Sequence, residues 1–445
     1  MRAMWKGARA ARVASATPAR AALAGLAACA SAVLLAAPAA GSAQAVSATS
    51  PWRLFGGTTT PEGGAVLVPT WAANRAWVLV ARGGGGTLAS ARVTGRTVTS
   101  FNAQRLSPGD VRGVGGLSRD WFVDGRLIVR TGEGQLDDSV ATARLLPDGR
   151  LGASEVVPDD LPARAKEAVP EVEEVSIHNA VRVGRRTVWA VAGLPPARSI
   201  NDSRNYLLAC CSESGTAVDL TRFKGGLRTV LLLPRGGWDA RGRLWLAWLD
   251  NRSSPGALLG VPRMLELDAS TLAPRSQAVA APGVSAVAFE LVCASTCRIV
   301  AQTSGGDIVS WAPGERSTTR VARGWRPRKV PGSRPDTRFL AAAYRSGHLV
   351  VAYHGMRGET AYADASVHDE IRIVRGDARG AGAREVGGSI RVANEWPPGN
   401  VGSPPAGPLV SGTFAPGGLI VVEQFQFTRR PGGSAPLLGA VVPFR

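Results

Sequence analysis

The sequence predicts an all-β chain folded as a β-propeller of seven blades, with six or eight blades as alternatives. Three observations predict it: a short apolar run recurs, a second strand-like run follows each one, and turn residues separate the units. A recurrence at intervals of roughly 50 to 70 residues is typical of repeat architectures. The recurring runs lie at 77–81, 127–130, 188–192, 244–249, 298–302, 349–353 and 419–424.

The second member of each pair follows after a polar gap. Turn signals such as Pro147-Asp148-Gly149-Arg150 then close the unit. A long 3.6-residue periodicity is not found after residue 45, because Pro170 interrupts the nearest example, 161–174. We therefore expect strands throughout. The second runs lie at 88–93, 139–146, 206–211, 262–267, 307–311, 370–374 and 437–442.

The apolar runs do not alternate between polar and apolar residues. Residues 244–249 read LWLAWL, and residues 349–353 read LVVAY, in which only the tyrosine hydroxyl is polar. A strand of a two-layer sandwich should alternate, because one of its faces meets water. Strands that are apolar on both faces favour sheets covered on both sides, as in blades stacked around an axis.

The first 45 residues have the layout of a secretory signal peptide. The segment begins with basic residues and no acid, continues as an Ala/Leu/Val stretch at 21–40, and ends in small residues that suit cleavage after Ala45. We therefore predict a signal peptide at 1–45, a single propeller domain at 46–445, and export from a bacterial cell. The alternative is a lipid anchor, because Leu26-Ala27-Ala28-Cys29 also matches the lipobox of bacterial lipoproteins.

The net charge of +18 comes almost entirely from arginine. Such basicity predicts weak attraction to acidic polymers and does not identify one. The densest basic segment, 316–338, contains eight basic residues and Trp325. This segment could bind phosphate, sulfate or carboxylate groups, but the preferred interpretation is a solvent-exposed connection between two units. No segment after residue 45 is long and apolar enough to span a membrane, and we expect a monomer.

Four cysteines remain after cleavage, which in an exported chain indicates disulfides. The simplest pairing joins Cys293 to Cys297 across a hairpin turn. The neighbouring Cys210 and Cys211 close a strand-like run, so a bridge between them would need a distorted peptide.

Residues 242–252 (GRLWLAWLDNR) resemble the inner-strand and strand-exit pattern of secreted bacterial propellers, including sialidase-like ones. The resemblance covers the rhythm of the whole mature chain. It lacks the repeated Ser-x-Asp-x-Gly-x-Thr-Trp boxes of sialidases. It therefore implies a scaffold more than an activity.

A binding site is expected on one rim of the propeller, because equivalent connections open on the same face. The gaps after the recurring runs are unequal, and the longest ones carry most of the convergent polar groups. The candidate binding residues are Asp137, Asp138, Arg198, Asp202, Asp250, Arg252, His354, Glu359, Asp364, His368, Asp369 and Arg429.

These residues allow three kinds of chemistry. Arg198, Arg252 and Arg429 could clamp a substrate carboxylate while Asp138, Asp250 or Asp369 acts as the acid of a glycosidase. His354 and His368 with their neighbouring aspartates could form a metal or acid/base cluster, although a solvated loop is preferred because the spacing matches no zinc template. Asp250-Asn251 could support Ca²⁺, but a capped turn explains it better. We expect no metal and no cofactor.

The favoured function is an exported, non-catalytic binding or interaction module at the bacterial cell surface or outside the cell, directed to a glycan, in particular an acidic one, or to a protein. The alternative is a carbohydrate-active hydrolase or lyase with its site on the same rim. The missing boxes and the lack of an assignable nucleophile favour the first.

Overall fold

Seven antiparallel sheets follow one another along the chain. The computed structural model describes residues 53–61, 66–82, 85–94, 97–106, 122–123, 125–131, 139–156, 174–183, 186–194, 208–211, 218–219, 231–250, 259–271, 273–324, 337–357, 368–387, 389–391, 409–424 and 434–444. Within these ranges every regular element is a strand. All-β structure is therefore confirmed for the described residues.

The first four sheets are each built from four consecutive strands. Sheet 1 contains β2 (Val66–Ala72), β3 (Arg75–Arg82), β4 (Gly85–Thr94) and β5 (Thr97–Leu106). Sheet 2 contains β6 (Phe122–Val123), β7 (Arg126–Thr131), β8 (Ser139–Leu145) and β9 (Leu151–Val156). Sheet 3 contains β10 (Glu174–Val183), β11 (Arg186–Leu194), β12 (Leu208–Cys211) and β13 (Val218–Asp219). Sheet 4 contains β14 (Leu231–Trp238), β15 (Leu244–Asp250), β16 (Val261–Leu267) and β17 (Val279–Ala280).

The remaining sheets continue the same order, and the last one joins the two ends of the domain. Sheet 5 contains β18 (Ala286–Cys293), β19 (Cys297–Thr303), β20 (Ile308–Trp311) and β21 (Thr319–Ala322). Sheet 6 contains β22 (Arg338–Arg345), β23 (His348–Arg357), β24 (His368–Arg375), β25 (Arg384–Glu385) and β26 (Ile390–Arg391). Sheet 7 contains β27 (Leu409–Ala415), β28 (Gly418–Gln424), β29 (Ser434–Val442) and, beyond β29, the N-terminal strand β1 (Arg53–Pro61).

The first strands of the sheets line the inside of a ring. They contact one another in the order β6, β10, β14, β18, β22, β27 and β2. The N-terminal β1 completes the sheet that the C-terminal strands begin, so the ring is closed by the two ends of the chain. Consecutive four-stranded antiparallel sheets arranged in this way form a β-propeller.

The recurring apolar runs are the second strands of the sheets, and each is hydrogen-bonded to the strand-like run that was predicted to follow it. One detail of the prediction is wrong. Residues 244–249 form β15, which is the second strand from the inside, whereas the inner strand of sheet 4 is β14. Second strands are also covered by sheets on both sides, so an all-apolar sequence does not distinguish them from inner strands.

The core lies between neighbouring sheets. In β28, alternate side chains pack against the sheets on its two sides. Leu419 and Val421 pack in the cluster shared with sheet 6, whereas Ile420 and Val422 pack in the cluster shared with sheet 1. All four side chains are fully buried. Burying such a side chain contributes roughly 1.5–3 kcal/mol. The all-apolar sequence therefore reflects cover on both faces, as predicted.

Polar contacts also join neighbouring sheets at two equivalent places, which we call clasps. In the sheet 5 clasp, the buried Arg298 donates from Nη1 to Ser310 Oγ (2.9 Å) and to the carbonyl oxygen of Arg379 (3.4 Å), which lies in a turn of sheet 6. Ser310 Oγ donates to the same carbonyl. The clasp thus holds a turn of one sheet against the strands of the previous one.

The sheet 1 clasp is formed by an arginine and a serine at the same relative strand positions as in the sheet 5 clasp. Arg75 donates to the carbonyl oxygen of Pro147 (3.4 Å), and Ser90 donates to that of Gly149 (3.2 Å), both in a turn of sheet 2. In each clasp the serine pairs across the sheet with the residue two positions after the arginine, Trp77 or Val300.

Gly380, in the turn held by the sheet 5 clasp, should be the more sensitive of two matched glycines. It has φ +85°, and a Cβ there would lie 2.7 Å from Val321 Cγ2 and 3.0 Å from Leu349 Cδ2. Gly242 has φ +71° and nothing within 4 Å of its Cβ position. We expect Gly242→Ala to lower the free energy of unfolding by about 1–2 kcal/mol through the backbone alone. Gly380→Ala should lose a further 1–3 kcal/mol or so through overpacking.

Denaturant unfolding of both variants measures the difference. Equal losses would show that the turn at Gly380 is not tightly docked.

Candidate functional site

One face of the propeller, which we call the rim face, holds the connections between second and third strands and those between each sheet and the next. All sheets have the same strand order, so equivalent connections emerge on the same side. Several of these connections span ten or more residues in the sequence, for example 195–207, 358–367 and 392–408, whereas the turns between first and second strands on the opposite face are short, for example 346–347 and 416–417. Long connections on a rigid scaffold are the usual place for binding residues.

Most predicted site residues lie in sequence between a second and a third strand, and these residues are outside the part of the chain that the structure describes. Two others, His368 and Asp369, begin β24, and nothing is described of their side chains. Only Asp250 and His354 can be placed with their surroundings. The residues outside the described part are Asp137, Asp138, Arg198, Asp202, Arg252, Glu359, Asp364 and Arg429.

Asp250 is the last residue of β15, and its side chain is 3% exposed. Its Oδ2 accepts a hydrogen bond from Arg263 Nε on the adjacent strand at 2.5 Å. The Arg263 side chain is 26% exposed. Asp250 is therefore engaged in an ion pair that positions Arg263, rather than presented as an open acid.

His354 lies on β23 opposite Arg338 and Ile371 and is 5% exposed. One step along the ladder, Gly355 pairs with Glu370, whose buried carboxylate lies 3.4 Å from Arg372 Nε. Because Ile371 shares a face with His354 and successive strand residues alternate, the carboxylate–guanidinium pair lies on the other face of sheet 6 from His354. The sequence did not indicate Glu370 as a site residue.

Buried polar side chains recur near the rim-face ends of the second strands in sheets 4 to 7. We call them the polar layer, and its members are Asp250, Gln302, His354 and Glu423. Buried polar groups in folded proteins normally have hydrogen-bond partners. Gln302 and Glu423 escaped the sequence analysis because each follows an apolar run. A single polar residue at the end of such a run was the available signal.

Gln302 connects sheet 5 to the next sheet. Its Oε1 accepts from the backbone N–H of Phe339 (2.8 Å), and its Nε2 donates to the carbonyl oxygen of Thr337 (2.5 Å). On the other side of the same hairpin, Asp307 accepts from the N–H of Gly324 (2.8 Å). These contacts anchor both ends of the connection that contains most of the basic segment predicted from the sequence, whose middle lies outside the described residues.

The opposite face contains a tightly bonded aspartate that the sequence analysis did not single out. Burial alone would raise the pKa of Asp239. Hydrogen bonds from the backbone and side chain of Arg243, from Trp245 Nε1 and from the Arg241 N–H instead hold that pKa below its ordinary value. The carboxylate organises the turn between β14 and β15.

Asp239→Asn should lower stability most at neutral pH. Since the folded-state pKa lies below the unfolded value of about 4, the stabilisation by the carboxylate is complete above that value and is lost as the pH falls through the folded pKa. We expect a loss of about 2 kcal/mol at pH 7, shrinking toward pH 2. Denaturant unfolding of both proteins between pH 2 and pH 7 measures the two curves, and curves that stay parallel would contradict this role.

The predicted disulfide between Cys293 and Cys297 is confirmed. It closes the turn between β18 and β19 and packs against the first strand of sheet 4, where a Cβ at Gly237 would meet Cys293 Sγ. The carbonyl oxygen of Ala294 in this turn accepts from the N–H of Ala240 in sheet 4 (2.6 Å). The prediction for Cys210 and Cys211 stays a prediction, because their side chains lie outside the described part.

Among the described residues, no three His, Cys, Asp or Glu side chains are grouped as a metal site. The proposed Ca²⁺ turn continues from Asp250 into residues beyond this part. In the same ranges no helix has the length and apolar character needed to cross a bilayer.

Comparison with known proteins finds distant structural similarity. No family model and no curated protein matches the chain. A thermostable family-43 glycoside hydrolase is 13% identical, with a TM-score of 0.32 over 88% of this chain and 96% of that one. An arabinanase of Bacillus subtilis is 12% identical, with a TM-score of 0.28 over 86% and 96%. A luciferin-regenerating enzyme is 11% identical, with a TM-score of 0.33 over 88% and 94%.

Similarity at this level carries no argument about blade number or activity. The sialidase-like relatives suggested by residues 242–252 are not supported by these structures.

Proposed function

We propose that the mature chain is an exported carbohydrate-directed propeller that binds its ligand on the rim face. The observation that supports the proposal is the shared strand order. Every candidate polar residue lies in sequence at or between a second and a third strand, and these strand ends emerge on the same side of each described sheet. Exposed arginines border the rim-face turn of sheet 5, which suits an acidic glycan. Under this proposal the protein is a non-catalytic module that binds the glycan without converting it.

The second candidate is a carbohydrate-active hydrolase or lyase with its site on the same face. The names of the similar structures, a glycoside hydrolase and an arabinanase, agree with this candidate better than with a non-catalytic protein. Their TM-scores of 0.32 and 0.28 do not decide between them. The chemistry would require a general acid and a second carboxylate on opposite sides of the scissile bond, for which Asp138 and Asp369 are available.

A glycan array and a panel of chromogenic glycosides, both applied to residues 46–445, separate the candidates. Binding without turnover supports the module. Turnover that Asp138→Asn or Asp369→Asn abolishes would establish the hydrolase. Asp250 is a poor choice for this test, since its substitution also breaks the ion pair with Arg263. The absence of both binding and turnover across neutral and acidic sugars would refute a carbohydrate ligand.

We also infer that each of the seven sheets is one blade, which gives a seven-bladed propeller. The repeated strand order and the sequence of contacts between first strands support this count. A crystal structure of residues 46–445 tests it directly, and a ring of any other number would overturn it.

A further inference from the structure

Two exposed arginines lie on the rim face, one at the end of sheet 5 and one at the start of sheet 6. Arg323 follows the outermost strand β21, and Arg338 begins the innermost strand of the next sheet. Within the described part of the chain, neither guanidinium group has a hydrogen-bond or ion-pair partner. Other arginines are paired with acids, as Arg243 is with Asp239 and Arg275 is with Asp268. The two rim-face arginines thus carry charge that no described acid neutralises.

One tight turn is hydrogen-bonded to the backbone beside each of these two residues. The turn between β19 and β20 is closed by bonds between Thr303 and Asp307 (2.8 Å) and between Gly306 and Thr303 (2.9 Å). Asp307 on one side of the turn binds the residue after Arg323, at 2.8 Å.

On the other side of the turn, Gln302 binds the two residues that flank Arg338, at 2.5 and 2.8 Å. Gly324 packs so closely on Gly306 that a Cβ there would overlap the backbone of the turn. The backbone next to Arg323 and that on both sides of Arg338 are therefore fixed to the same hairpin.

Asp307, which binds the backbone next to Arg323, does not cancel this charge. Asp307 is bonded to the Gly324 N–H and lies 4.0 Å from Nη1 of Arg320, a third exposed arginine. At the other end of the sheet, Glu315 is bound by Arg298 at 2.6 Å. The local balance at the turn is one carboxylate against three guanidinium groups.

We propose that Arg323 and Arg338, supported by Arg320, form an anion-recognition site for the carboxylate or sulfate groups of an acidic polysaccharide. Guanidinium groups bind such oxyanions through paired, charge-assisted hydrogen bonds. Two of them fixed on either side of a turn select a ligand that carries repeated negative charge. This inference rests on the proposed carbohydrate-directed function and deepens it by naming the ligand class and the contact residues.

Binding of residues 46–445 to polygalacturonate, heparin and neutral dextran tests the site. The double variant Arg323→Gln/Arg338→Gln is compared with Arg92→Gln/Arg241→Gln, which removes the same charge from two exposed arginines elsewhere. We expect the first variant to weaken binding to an acidic polymer about tenfold or more, and the control to change it less than about twofold. The slope of log K against log salt should fall by about 2 in the first variant only.

The outcomes separate this inference from the function on which it rests. Equal weakening by both variants would show diffuse basicity and overturn the site, as would unchanged binding by the first variant. Tighter binding of duplex DNA than of both acidic polysaccharides would overturn the ligand class. If the wild type binds neutral sugars alone, the site is refuted while the carbohydrate function stands. If the wild type binds no sugar, the site and the carbohydrate function are both refuted.

The two double variants should melt at the wild-type temperature, which shows that a change in binding does not come from unfolding.

Discussion

Removal of residues 46–61 from the compact unit Val46–Arg445 is expected to destabilise that whole unit. These residues include β1, which pairs with β29 through Arg53↔Gly439, Leu54↔Leu438 and the pairs from Thr59 to Pro61. Without β1 the last sheet loses its outer strand, and β29 becomes an exposed edge. The loss of these backbone pairs alone should lower the free energy of unfolding by on the order of 3–5 kcal/mol.

Thermal and denaturant unfolding measure the loss, and deletion of residues 46–52 serves as the control because it leaves β1 intact. Addition of a synthetic peptide of residues 53–61 should partly restore the melting temperature by mass action. A truncated chain that melts with the wild-type midpoint would show that the ring is not closed through β1.

Arg298→Ala is expected to have the largest effect of any arginine substitution in the described residues. The side chain is 2% exposed and bonds to Ser310, Glu315 and the Arg379 carbonyl oxygen. Its loss leaves a buried hydroxyl and carbonyl with fewer partners and releases a docked turn of sheet 6. We expect a loss of about 3 kcal/mol, because breaking a buried charged pair is strongly destabilising.

The matched control is Arg316→Ala, an exposed arginine nearby with no described partner, which should change stability by less than about 0.5 kcal/mol. Ser310→Ala completes a double-mutant cycle. The two losses should not be additive, because both side chains bind the same carbonyl. Additive losses, or an Arg298→Ala loss as small as the control, would refute the clasp.

The second strand of every sheet could be predicted because its apolar run recurs along the chain, and the third because a strand-like run follows each apolar run after a polar gap. The first and fourth strands could not. β14 reads LLLPRGGW and is only half-buried over residues 235–238, and β13, β17 and β25 contain two residues each. Such segments contain too little pattern to separate a strand from a loop. The same limit explains the misplaced inner strand, since burial on both faces is shared by several strands of a blade.

The candidate site was predictable at the level of a face but less so at the level of residues. Asp250 was singled out from its position at a strand end, and the sequence could not show that Arg263 already holds it. The clasps were not predicted, because they depend on contacts between arginines and turns that are far apart in sequence. Arg298 and Arg379 are brought together only by the docking of one sheet on the next.

The pairing of β1 with β29 also sets the order in which the protein can mature. Synthesis begins at the N-terminus, so β1 emerges before β29 has been made and must wait with its backbone groups unpaired. An unpaired edge invites association with other chains, and a contact between the two ends of a long sequence forms slowly. The window between emergence and closure is therefore when the protein is most exposed to proteases and to aggregation.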